Sequence, residues 1–170
     1  FASLGANTTG ASNVAVGSNA LDAATTASNN TSVGHDSLTD LTTGSQNTAL
    51  GSNALANTTT AANNVGVGFL SLSANTTGYE NTAIGSNALL DNTTGNFNTA
   101  VGMRALRDNT TASRNVAIGR ECSFSNTTGT RNTAIGAFSF DANTTGNDNV
   151  AVGHDSLGAN TTGTGNVAIG

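Results

Sequence analysis

NTAIGSNALLDNTTGNF (residues 81–97) is followed without a break by NTAVGMRALRDNTTASR (residues 98–114), which restarts it after seventeen residues. The same register extends outward from this pair through the whole chain. Numbered from its Asn, the unit has Asn at position 1 ten times: Asn13, Asn30, Asn47, Asn64, Asn81, Asn98, Asn115, Asn132, Asn149 and Asn166. Position 5 is Gly in all ten, from Gly17 to Gly170, and positions 13 and 14 are Thr-Thr in all ten, from Thr8-Thr9 to Thr161-Thr162. The 170 residues are ten full periods. Self-similarity at one fixed short period is the signature of a repeat architecture.

Within the unit, position 4 is always aliphatic (Val33, Leu50, Ile84 and Ile118, for example), and position 2 is Val or Thr. Position 3 is Ala except at Ser32 and Gly66. Bulky and small residues thus alternate with the two-residue period of a strand, in residue types that suit a pleated surface. No 3.6-residue stripe is present, and seventeen residues are too few for a helix pair. An invariant position repeated along an axis stacks like on like, so each unit is expected to be one coil, with strands running parallel from coil to coil. The fold class that follows is all-β. It is a parallel β-solenoid of ten 17-residue coils forming a single domain over residues 1–170, a rod on the order of 45–50 Å long at about 4.8 Å per coil.

The remaining positions read as corners and ladders. Gly at position 5 supplies a positive φ or a close backbone approach. Position 15, Gly in seven units and Ala in three, marks a second expected corner. Position-1 Asn can build an amide ladder, each side chain bonding the next. The adjacent Thr pair points to opposite faces, so the inward row must find a hydroxyl or carbonyl partner. Position 8 is Ala, Ser or Cys, and position 9 is Leu except at Ser123 and Phe140. Phe124 is expected to fill the space that Ser123 leaves.

The strand at positions 1–5 has Val/Thr and Val/Ile on one face and Ala and Gly on the other. A solenoid strand with no polar face suggests burial on both sides. One face lines the lumen, and the other is expected against a second copy, with a threefold bundle as the economical form. The alternative is a wide single-chain coil with some Val exposed.

Composition narrows the function. Net charge is −5, charged residues are 9 % and Lys and Pro are absent. Nucleic-acid binding needs a basic face and is not expected. The five arginines, Arg104, Arg107, Arg114, Arg120 and Arg131, fall in one 28-residue window. They read either as a solvated stretch or as a basic band meeting an anionic glycan or surface. Cys122 is alone, so no intrachain disulfide is expected, and it sits where other units have Ala or Ser. No apolar run is long enough to span a membrane. The chain opens and stops within a repeat, which is expected of a segment of a longer protein.

The stretches NVAVGSNAL (13–21), NTAIGSNAL (81–89) and NVAIG (115–119 and 166–170) resemble the (N/S)-V-A-I-G repeats of YadA-like head domains in trimeric autotransporter adhesins. Similar NTAIG…AL…NTTG repeats occur in tail-fibre-like proteins of phages and marine bacteria. The resemblance covers every unit. It implies a left-handed β-roll, a homotrimer, and display outside the cell or on a virion. The added N-T-T-G segment and the strict seventeen-residue length depart from the shorter head repeats, and no stalk, anchor or chaperone segment is present. Ile84-Gly85-Ser86-Asn87-Ala88-Leu89 also fits the hexapeptide pattern of left-handed β-helix acyltransferases. Those coils hold three hexapeptides each, whereas this one holds one.

Few residues suggest chemistry. GHDSL at 34–38 and 153–157 sets His, Asp and Ser side by side, but adjacent strand residues point to opposite faces, whereas a triad needs convergence. No catalytic residue, metal site or cofactor is assigned. Asn75, Asn92, Asn109, Asn126, Asn143 and Asn160, all at position 12, begin Asn-x-Thr sequons and are glycosylation candidates or structural turn residues. Positions 6, 7, 10, 16 and 17 vary freely and are expected at outer edges. There Phe69, Phe97, Arg104, Arg120 and Phe138 are the candidate contact residues. The expected function is a non-enzymatic, extracellular structural segment of a fibre or adhesin, on a cell or virion surface. Its expected partners are itself (as a homo-oligomer, a trimer or a filament) and a surface receptor or glycan. The alternative is a glycan- or ice-binding solenoid.

Overall fold

The computed structural model describes residues 2–170, so Phe1 lies outside it. Ten three-residue strands follow one another: β1 (Val14–Val16), β2 (Thr31–Val33), β3 (Thr48–Leu50), β4 (Val65–Val67), β5 (Thr82–Ile84), β6 (Thr99–Val101), β7 (Val116–Ile118), β8 (Thr133–Ile135), β9 (Val150–Val152) and β10 (Val167–Ile169). They form one parallel sheet in sequence order. Each residue pairs with its equivalent seventeen positions on, as in Thr82↔Thr99, Ala83↔Ala100 and Ile84↔Val101. Among the described residues there is no helix. The parallel β-solenoid read from the period is the observed fold.

Two tight turns follow each of the strands β1 to β9. In one coil Ala88 N–H donates to Gly85 O at 3.2 Å, and Asn92 N–H donates to Leu89 O at 3.3 Å. The first turn needs a positive φ at its third residue, position 7, where type II turns favour Gly or Asn. Asn19, Asn53 and Asn87 meet that need with φ of 56–57°. Positions 9 and 17 are also left-handed in every coil, the ten position-9 residues at 49–56°. A β-branched side chain is most strained there. Although the chain is rich in Thr, Val and Ile, none stands at positions 7, 9 or 17. Gly at position 5 has φ of 128–143°, and a Cβ on Gly85 would stand 2.6 Å from the carbonyl of Gly102 in the next coil. Both requirements exclude every other residue type. Position 15 is not a corner of this kind, contrary to the sequence reading. It is buried, and the left-handed residue comes two positions later.

The lumen is thin. Position-3 Ala, the small position-8 residue and position-9 Leu fill it, all fully buried in the central coils. A Cβ on Gly66 would lie 3.2 Å from Leu55 Cγ, which shows how little room position 3 leaves. Positions 2 and 4 point outward, so only the small face of the strand is buried within the chain. Ser123 is buried at position 9, but Phe124 does not fill its space. Phe124 lies outside the lumen under the Arg107 guanidinium, 5.4 Å from it. The large buried side chain is Phe140, one coil on in the same column, setting large beside small.

Position-1 Asn closes each coil. Its Nδ2 crosses to the position-15 carbonyl of the same unit, as in Asn81 to Gly95 O at 2.8 Å and Asn98 to Ala112 O at 2.9 Å. Its Oδ1 accepts the backbone N–H of the next Asn, Asn98 N–H to Asn81 at 3.0 Å and Asn115 N–H to Asn98 at 3.1 Å. In most steps the amides also bond one another, at 3.1 Å between Asn98 and Asn81. These side chains are 0–2 % exposed in the central coils. Asn98→Ala strands the Asn115 N–H in the interior, where an unmet donor costs about 1–3 kcal/mol beyond the lost bonds. The expected outcome is a lowered thermal midpoint and accelerated hydrogen exchange at the Asn115 amide, measured by two-dimensional NMR.

Candidate functional site

Among the described residues no pocket opens on the solenoid, and no three His, Cys, Asp or Glu side chains converge. The surface is a set of columns, each one position wide and running along the axis. In GHDSL, His35 Nδ1 lies 2.9 Å from Asp36 Oδ2 on the outside, and His154 repeats this with Asp155 at 3.0 Å. Ser37 turns inward, its hydroxyl donating to Gly34 O at 3.0 Å, and Ser156 donates to Ala168 O at 3.2 Å. Neither serine faces its histidine.

The sequon asparagines at position 12 form a second internal ladder. Asn92 Nδ2 donates to Asn75 Oδ1 at 2.9 Å, Asn109 to Asn92 at 2.8 Å, Asn126 to Asn109 at 3.2 Å, Asn143 to Asn126 at 2.8 Å and Asn160 to Asn143 at 3.3 Å. Each also donates to the position-15 carbonyl three residues on, as in Asn92 to Gly95 O at 3.1 Å. The position-15 carbonyl therefore accepts from both asparagine ladders. Asn75, Asn92, Asn109, Asn126 and Asn143 are at most 1 % exposed, and Asn160 is half-buried near the end of the stack. A glycan on any of the first five would have to be attached before its coil closes, and it would break the ladder.

The Thr pair divides differently. Every position-13 hydroxyl from Thr8 to Thr144 donates to the next coil's Thr carbonyl, Thr93 to Thr110 O at 3.1 Å for one. Position 14 is the exposed member. An outward rank of position-12 Asn beside it, which an ice-binding face would use, does not form because those amides face the lumen.

Two further columns flank the outward face of the sheet. Positions 16 and 17 lie on one side, where Tyr79 (position 16) and Phe97 (position 17) meet edge to face at 5.2 Å and Arg114 stacks over Phe97 at 5.5 Å. Arg131 forms a two-pronged pair with Asp148 at 2.6 and 2.9 Å, which holds the carboxylate below its ordinary pKa. Positions 6 and 7 lie on the other side. There Arg104 Nη1 is 3.3 Å and Arg120 Nη2 3.6 Å from the same oxygen, Glu121 Oε1. Arg120 stacks over Phe138 at 5.2 Å, and Phe138 meets His154 edge to face at 5.8 Å. Of the candidate contact residues, Arg104, Arg120 and Phe138 come together. Phe97 stands on the opposite rim, and Phe69, 54 % exposed, stands two coils before Arg104. Glu121, His154 and Arg114 complete the clusters. Their signal in the sequence is a separation of sixteen or seventeen residues, about one coil: Arg104 to Glu121, Phe138 to His154, Phe97 to Arg114.

Compared with known proteins, the chain matches no family model, no curated protein and no solved structure.

Cys122 is fully buried at position 8. Burial pushes its thiol pKa up to about 12, against a smaller opposing effect of hydrogen bonds from Ile118 and Ser123. The thiolate is the reactive form. A thiol reagent at pH 8 is expected to leave the folded chain unlabelled and to label it once in denaturant, read by intact mass.

Proposed function

We propose that the chain is a structural segment of an extracellular fibre or surface appendage, wound as a left-handed roll and assembled as a homotrimer through the outward face of its sheet. The observation that carries this reading is that face. Position 4 supplies ten aliphatic side chains and position 2 supplies ten Val or Thr, in two unbroken columns with no charge. In the central coils Ile84, Ile118 and Ile135 are 39–41 % exposed. Two columns along ten strands cover on the order of 500 Å², a contiguous apolar patch of the size that marks an interaction surface.

The mechanism is mechanical. Backbone bonds run along the axis through every coil, so repetition sets length and the ladders set stiffness. A flat apolar sheet face repeated at one spacing suits an identical face better than a globular partner, because every row meets the same kind of row. Rim residues at positions 6, 7 and 17 vary without touching the lumen, so they are free to contact a receptor.

Ile84→Asp and Ile118→Asp place carboxylates on the outward face and leave the lumen unchanged. Sedimentation is expected to give three times the chain mass for the parent and a single-chain mass for the double variant, with circular dichroism unaltered. A parent that sediments as one chain, or a variant that keeps the parent's mass, would overturn the trimer.

A further inference from the structure

The arginine-bearing ridge at positions 6 and 7 carries a second inference, independent of the sheet face. The window 104–131 holds all five arginines against two carboxylates, Asp108 and Glu121; the other 142 residues hold eight carboxylates and neither Lys nor Arg. A positive band therefore crosses an acidic rod. Of the five arginines, Arg107 is the one with a close carboxylate to itself on its own coil, Asp108 at 2.6 Å, and Arg131 is bound two-pronged by Asp148. With Glu121 as their shared partner at 3.3 and 3.6 Å, and Asp155 two coils past Arg120 beside His154, the excess positive charge is local to Arg104 and Arg120. Their side chains remain 47 % and 59 % exposed.

We propose that this ridge, Met103-Arg104, Arg120-Glu121, Phe138 and His154 in four successive coils, binds an acidic polysaccharide bearing carboxylate or sulfate groups along its length. A guanidinium has five donors in a fixed fork that matches carboxylate and sulfate geometry. Stacking on Phe138 holds the Arg120 plane in place, so less freedom is lost when an anion binds. Met103 and Phe138 supply apolar surface beside the charges for the faces of sugar rings. The ridge advances by one coil, about 4.8 Å, per step, and so presents its groups as a file along the rod rather than as a pocket. A linear ligand with regularly spaced anions fits a file. A compact anion has no cavity to enter, as no pocket opens among the described residues.

The test uses the full chain on immobilised heparin and polygalacturonate, with dextran as the neutral probe and an oligothymidylate as the nucleic-acid probe. The parent is expected to bind both acidic polysaccharides at low salt, to release them at high salt, and to ignore dextran. Arg104→Ala with Arg120→Ala is expected to weaken binding by about tenfold or more, as lost charge-assisted contacts do. Phe138→Ala should weaken it less. Arg107→Ala, whose charge lies at position 10 away from the ridge, should keep affinity within roughly twofold and so separates a site from bulk charge. Three results would overturn the proposal: a parent that binds neither polysaccharide, an Arg107→Ala loss equal to that of the double variant, or equal binding of the oligothymidylate. The double variant should also keep the parent's sedimentation mass and thermal midpoint. A change in mass would assign the ridge to contact between copies instead.

Discussion

Each coil is shut by one bond, from the position-1 Asn amide across the lumen to the position-15 carbonyl, and the other features of the repeat depend on it. Seventeen residues enclose too little volume for a conventional core, so side-chain amides do much of what apolar packing does elsewhere. The same Asn ties its coil to its neighbours by accepting the next backbone N–H, so closure and stacking use a single side chain. The position-12 ladder converges on the same carbonyl from within the turn. Buried amides hold a structure only when every donor and acceptor is met. Loss of one rung therefore leaves polar groups unmet in two coils.

That arrangement explains where the sequence is strict and where it is free. Position 5 is confined to Gly by a left-handed φ and by the carbonyl of the next coil, and position 9 must reach the lumen from a left-handed backbone. Position 12 is more tolerant: Ala24, Leu41 and Thr58 replace Asn in three consecutive coils, and the Thr58 hydroxyl stays buried without a partner. The chain tolerates an interrupted second ladder because the first is complete. Positions 6, 7 and 17 face solvent, and there residues as different as Ser, Phe, Arg and Asp occupy equivalent sites. Structural necessity and surface identity are thus separated by position within a single unit. That is what lets a rod keep its shape while its ridges differ from coil to coil.

The period, the strand, the Gly corner and the position-1 ladder were legible from residue types alone, because each rests on a local pattern repeated ten times. Three features were not. The direction of Asn75 through Asn160 was hidden, since an Asn before Thr-Thr suits an exposed turn as well as a buried ladder. The left-handed backbone at positions 7, 9 and 17 was encoded only by the absence of β-branched residues, a signal easily missed beside the eight conspicuous leucines of position 9. Phe124 is the replacement for Ser123 that its neighbouring position suggests, yet it lies outside the lumen under Arg107 and Phe140 supplies the bulk from the next coil.

The sequence by itself determined the architecture: a strict seventeen-residue register with alternating strand positions can satisfy its backbone only by stacking coil on coil, and the parallel pairing follows from that. Only the tertiary structure decided which side of each residue faces the lumen and which residues of different coils meet. Arg104, Arg120 and Phe138 are separated by up to 34 positions in sequence, and Phe97 is nearer to Arg104 than Phe138 is. In space the strand Thr99–Val101 keeps Phe97 on the opposite rim from Arg104, and the stacking of coil on coil brings the other three together. Stacking sets that choice, because it fixes which positions of neighbouring coils share a column.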